Sequence, residues 1–175
     1  MSSRLLVAAG TLAAVLLGGA PELAGSSAAT LPPGRLLMPV PGASITQGFG
    51  CTPVLLEPAN PQCPTRHFHS GLDLAAPLGT DVRAAAAGRV RVHWNPVGYG
   101  LYVLVDHGHG LQTLYGHLSA VTVMDGDSVQ GGQQVGRLGS TGLSTGPHLH
   151  FEVRHDGRPV DPLPYLPAEQ LKKEQ

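Results

Sequence analysis

The chain has 175 residues, of which 13% are charged, and a formal net charge of -1 at pH 7. A charge so nearly balanced gives no electrostatic basis for binding nucleic acid or an anionic membrane surface. The 24 Gly and 16 Pro, with aromatic residues at only 5%, argue against a helical protein and for short strands and turns around a core of Val, Leu and Ala.

Residues 1–29 read as a secretory signal. Arg4 supplies the positive start, 5–20 is an uncharged and mostly apolar run, and Ser27-Ala28-Ala29 offers a small-x-small cleavage point before Thr30. A membrane span takes about 20 apolar residues, so this run is short for one and no stable membrane anchor is expected after cleavage. Residues 30–41 read as a Pro-rich lead-in arm, 42–166 as one domain and 167–175 as a charged tail. Cys51 and Cys63 are the only cysteines. In an exported chain they read as one disulfide, contributing on the order of 3 kcal/mol in the chain-entropy model.

The domain opens with a strand at 45–49. A loop at 50–66 carries both cysteines and Pro53, Pro58, Pro61 and Pro64. Residues 67–75 read as one extended segment, ended by the turn Ala76-Pro77-Leu78-Gly79. Short strands at 82–86 and 89–94 flank Gly88. Segments 101–106 and 111–118 form a hairpin around His107-Gly108-His109-Gly110. Strands at 133–138 and 148–154 complete the series. Outside the signal no run of ten or more residues keeps a helical period. The expected fold is all-β and mostly antiparallel, with one groove.

Alternation sets out the candidate site. On an extended segment His69, Gly71 and Asp73 share one face, opposite Leu72 and Leu74. Glycine between the two polar residues would leave room for a metal and a substrate. His148 and His150 also share a strand face. Together these stretches offer two imidazoles and one carboxylate for a metal, plus a spare histidine. That donor set suits zinc with an open coordination position. Tyr115 and His117 fall on the face opposite Leu114, Gly116 and Leu118, where His117 is available to a groove. His107 and His109 repeat the His-x-His spelling but read as outward-pointing turn residues. His67, His93 and His155 default to surface or supporting roles.

With these motifs the chain resembles the zinc metallopeptidases of the lysostaphin and LytM type, the M23 family. The likeness runs from Ile45-Thr46-Gln47-Gly48-Phe49-Gly50 through His69-Ser70-Gly71-Leu72-Asp73, Tyr115-Gly116-His117-Leu118 and Gly139-Ser140-Thr141-Gly142 to His148-Leu149-His150-Phe151-Glu152-Val153 and Val160-Asp161-Pro162. The resemblance implies one zinc ion held by His69, Asp73 and His150, with His117 and His148 catalytic. It implies a compact barrel-sandwich whose groove is walled by loops, here 50–66, 95–100 and 140–147. It also implies an exported, periplasmic or cell-wall endopeptidase acting as a monomer on peptidoglycan cross-links or stem peptides. Two other readings stay open: a non-catalytic cell-wall activator that keeps zinc for structure, and an exported peptidase acting on Gly-rich proteins. The disulfide loop is a local elaboration beside the first ligand motif and bears on substrate choice.

Overall fold

The computed structural model describes residues 36–168 and 172–173. The secretory signal expected at 1–29 therefore lies outside the described residues. Those residues form strands β1 (Ser44–Gln47), β2 (Gly50–Thr52), β3 (His67–His69), β4 (Leu72–Ala75), β5 (Asp81–Arg83), β6 (Gly88–Asn95) and β7 (Gly100–Asp106). They continue with β8 (Leu111–Leu118), β9 (Ala120–Val121), β10 (Ser128–Val129), β11 (Gln134–Arg137), β12 (His148–His155), β13 (Arg158–Val160) and β14 (Lys172–Lys173). The remaining regular element is one 3-10 turn at Leu163–Tyr165, so the fold is all-β as expected.

The large sheet has the order β10-β6-β7-β8-β12-β4-β1-β14, with β13 paired to β12. Its neighbours are antiparallel except for the β1–β14 pair. A three-stranded sheet, β5-β11-β9, and the β2–β3 hairpin complete the domain. Alternation on the large sheet builds two faces. One row, Val103, Tyr115, Phe151 and Leu72, runs across four strands by direct cross-strand pairing. All four side chains are fully buried and join a core that includes Val82 and Val135 of the small sheet. Paired apolar side chains of this kind are the unit of sheet stabilisation. Leu36, Met38 and Val40, just ahead of β1, are buried in the same core.

The opposite face carries a polar row, Gly116, His150, Asp73 and Gln47, again paired strand to strand. The two rows alternate because successive residues on each strand point to opposite sides.

Two local breaks depart from simple alternation. Residues 67–75 do not form one strand: β3 pairs with β2, while β4 pairs with β1 and β12. The chain changes sheets at Ser70-Gly71. Gly71 does not leave space for a substrate, as alternation predicts. A Cβ there would lie 2.4 Å from the Phe151 carbonyl oxygen, so glycine is required by the close approach of β12. The second break is in β8. Leu101 pairs with Leu118 but Val103 pairs with Tyr115, leaving one extra residue on β8. His117 sits in this bulge with φ 60. Tyr115 and Leu118 therefore both enter the core, and His117 is turned away from Tyr115 instead of sharing its face.

The hairpin histidines differ from each other. His109 is exposed at the tip with φ 53. His107 does not point outward: its Nδ1–H donates to the Ala87 carbonyl at 2.8 Å, and its Nε2 lies 2.9 Å from Thr113 Oγ1. Thr113 continues to the buried Tyr115 hydroxyl at 2.7 Å, which accepts from the Ala85 amide at 2.7 Å. This chain satisfies polar atoms that the core would otherwise strand.

Gly71→Ala forces β12 and β4 apart in the middle of the sheet. A loss of about 2 kcal/mol or more is expected, in the range of overpacked core substitutions. Thermal unfolding should register it as a melting temperature several degrees lower.

Candidate active site

The kink at Ser70-Gly71 makes the first contact of the site. On a straight strand, residues four apart are separated by about 13 Å of backbone, at roughly 3.3 Å per residue. The turn between β3 and β4 instead brings His69 Nε2 to 3.1 Å from Asp73 Oδ1. The β4–β12 register sets His150 opposite Asp73, and its Nδ1 lies 3.1 Å from the same carboxylate oxygen. His69 Nε2 and His150 Nδ1 are 3.0 Å apart. His69, Asp73 and His150 thus present three donor atoms at one point, and all three residues are buried.

Each ring is held by its outer nitrogen. His69 Nδ1–H donates to the Gly48 carbonyl at 2.8 Å, leaving Nε2 as a bare acceptor. His150 Nε2–H donates to Glu152 at 3.1 Å, leaving Nδ1 bare. Two lone pairs and an ionised carboxylate oxygen in this triangle repel unless a positive charge sits among them. A metal cation meets that need, and the oriented outer nitrogens are the usual support of metal-binding histidines. A proton meets it as well. Burial works against charge on His150, but hydrogen bonds to Asp73 and Glu152 outweigh it and raise the ring to about 9. Burial likewise raises Asp73, yet the hydrogen bonds from His150 and His69 hold it far below the usual carboxylate range.

His117 and His148 stand beside the triangle, with ring centroids 4.7 Å apart. His117 Nδ1–H donates to the Thr141 carbonyl at 2.8 Å, and its amide donates to the Tyr99 carbonyl at 2.7 Å. These bonds hold the bulge in its left-handed conformation, which is uncommon for a residue other than glycine and concentrates at functional sites. Burial pushes the His117 ring down to about 4, against the hydrogen bond to Thr141. His148 Nδ1–H donates to the Gly146 carbonyl at 2.9 Å, and its Nε2 lies 3.6 Å from Asp73 Oδ1. All five site residues expected from the sequence therefore converge.

Glu152 was not among them. It is fully buried two residues after His150, on the same face of β12. Its Oε1 takes hydrogen bonds from Ser70, from Tyr99 at 2.8 Å and from His150, and its Oε2 pairs with Arg154. The signal was present: His148, His150, Glu152 and Arg154 continue one polar face at period two while Leu149, Phe151 and Val153 fill the other.

The site floors a cleft of about 410 Å³. Its walls come from the disulfide loop through Val54, Leu56 and Glu57, from the β6–β7 turn through Asn95 and Val97, and from Leu143 and Ser144 ahead of β12. Cys51 and Cys63 are bonded, with Cα atoms 5.4 Å apart.

A buried cluster that calls for a cation, flanked by two histidines in an open cleft, has the make-up of a metal-dependent hydrolase. Comparison with known proteins agrees. The model of Peptidase family M23 matches residues 67–162. The DD-carboxypeptidase/endopeptidase Mpg of Neisseria meningitidis serogroup B is 48% identical over 108 residues, 61% of this chain and 25% of that protein. The peptidoglycan DD-endopeptidase ShyA of Vibrio cholerae serotype O1 is 43% identical over 95 residues, 54% of this chain and 22% of that protein. The crystal structure of a zinc containing peptidase from Vibrio cholerae superposes with a TM-score of 0.62 at 35% identity, covering 74% of this chain and 40% of that one. The chain belongs to peptidase family M23. It spans about a quarter of the length of these curated relatives.

The raised His150 would make metal uptake a proton exchange. Hydrogen bonds to Asp73 and Glu152 hold the metal-free ring up at about 9, so a metal bound at Nδ1 would displace a proton at neutral pH. Calorimetry at pH 7 in buffers of different ionisation enthalpy should show about one proton released per metal. The release should fade above pH 9, and metal affinity should weaken as the pH falls.

Proposed function

We propose that this chain is an exported zinc metalloendopeptidase that hydrolyses amide bonds in the peptide part of bacterial peptidoglycan. The observation that carries the reading is the meeting of His69 Nε2, Asp73 Oδ1 and His150 Nδ1 on the floor of an open cleft, with His117 and His148 alongside. Two imidazole nitrogens and one carboxylate oxygen are a zinc donor set that leaves a coordination position free. Bound by His69, Asp73 and His150, zinc would supply Lewis-acid polarisation of the scissile carbonyl and acidification of a water.

The chain's own groups do the rest. His117 is neutral at pH 7, since burial holds it near 4, and its Nε2 is free because Nδ1 is committed to Thr141. It takes the proton of the attacking water. His148, its Nδ1–H fixed on Gly146, receives that proton from His117 at its bare Nε2, the two ring centroids being 4.7 Å apart, and passes it on to the departing amine. The three walls hold an extended peptide across the site. Membership of M23 and relatives named for DD-peptide and peptidoglycan hydrolysis support the substrate class. The apolar run at 5–20 supports export.

Incubation of the purified protein with isolated peptidoglycan should release new amino groups, and mass spectrometry should identify the peptides set free. A chelator should abolish the release and added zinc restore it. Unchanged peptidoglycan after incubation with the metal-loaded protein would overturn the reading.

The roles divide the two neighbouring histidines. His148→Ala should keep its metal and lose on the order of 100-fold or more in turnover, the usual contribution of a proton-transfer residue. His150→Ala should lose both. Equal loss of metal from the two variants, measured by elemental analysis, would contradict this division.

A further inference from the structure

The cleft lining holds two carboxylates, Asp73 and Glu57, and no Lys or Arg. Asp73 is engaged by His69 and His150. Glu57 forms no ion pair among the described residues, and its carboxylate contacts one polar side chain, Gln47, whose amide donates to Oε1 at 3.1 Å. Gln47 is in turn the cross-strand neighbour of Asp73. Glu57, Gln47 and Asp73 therefore follow one another from the wall of the cleft to its floor.

The position of Glu57 is built. Its amide donates to the Val54 carbonyl at 3.2 Å, and its own carbonyl accepts from His67 Nδ1–H at 2.8 Å. The next residue is tied as well, Pro58 O accepting from the Phe68 amide at 3.1 Å. The Cys51–Cys63 bond closes the loop around it. Val54 and Leu56 flank it and also line the cleft, each more than a third exposed. A fixed carboxylate between exposed apolar side chains matches an ammonium group at the end of an aliphatic stem. Such a stem would lie over Val54 and Leu56, and its charge would meet Glu57.

We infer that Glu57 is a specificity residue: the disulfide loop forms a subsite for a free primary amine carried on an aliphatic side chain of the peptide substrate. The inference rests on the peptidase reading above and names the feature of the substrate that the cleft selects.

The test compares cross-linked peptidoglycan peptides with their free amines intact and the same peptides N-acetylated. For the wild-type protein, acetylation should lower kcat/KM about tenfold, carried by KM with kcat little changed, as loss of one partly exposed charge-assisted contact predicts. This arm needs no variant and so does not depend on how a substitution folds. Glu57→Gln should cleave both forms with the same reduced efficiency, while keeping the wild-type melting temperature and metal content. Equal cleavage of both forms by the wild type would overturn the subsite, as would a preference kept by Glu57→Gln or a loss of metal from it. Cleavage of neither form by the wild type would overturn the peptidase reading, and the subsite with it.

Discussion

The site depends on the register of four neighbouring strands, β8, β12, β4 and β1. That register sets Gly116, His150, Asp73 and Gln47 side by side on one face while Tyr115, Phe151 and Leu72 pair one residue away on the other. A slip of one residue would send the polar row into the core and the core row into the cleft. The core row, which pins the register because its large side chains fit only on the buried face, thus also fixes the distances among the polar groups. Gly116 belongs to this arrangement: a Cβ there would lie 3.3 Å from His150 Cβ, close enough to crowd the ring.

Two irregularities do what regular strands cannot. The switch of sheets at Ser70-Gly71 folds His69 back onto Asp73, and the β8 bulge lifts His117 out of the parity of Tyr115. Both are local distortions that the sheet tolerates because its neighbours hold them. Phe151 packs its backbone against Gly71, and Tyr99 and Thr141 bind His117 from either side. The buried Glu152 ties the two regions together, since Ser70 at the kink, Tyr99 beside the bulge and His150 on β12 all bond to it.

Much of this was legible in the sequence, and what was not has a common cause. Strands β7, β8 and β12 alternate strongly enough for period two to locate them within a residue or two, and the motifs carried His69, Asp73, His117, His148 and His150 together. Alternation fails at Gly71 and His117, where a kink and a bulge break the period of two. His107 was misjudged for a related reason. Its turn setting suggested an outward ring, but hydrogen bonds to Ala87 and Thr113 reach across the hairpin, and such contacts between strands leave no trace in local composition. Glu152 continues the polar face of β12, but its role rests on hydrogen bonds from Ser70 and Tyr99 on other segments, which the spacing along one strand does not encode.

The separation of the two faces also bears on how a metal would be taken up. In small metal domains the ion is often part of the folding reaction, and the chain is disordered without it. Here the apolar rows, the small sheet and the Tyr115 hydroxyl chain lie away from the His–Asp–His triangle, and a proton on His150 satisfies that triangle by itself. A metal bound by His69, Asp73 and His150 would therefore enter a site that the sheet has already built.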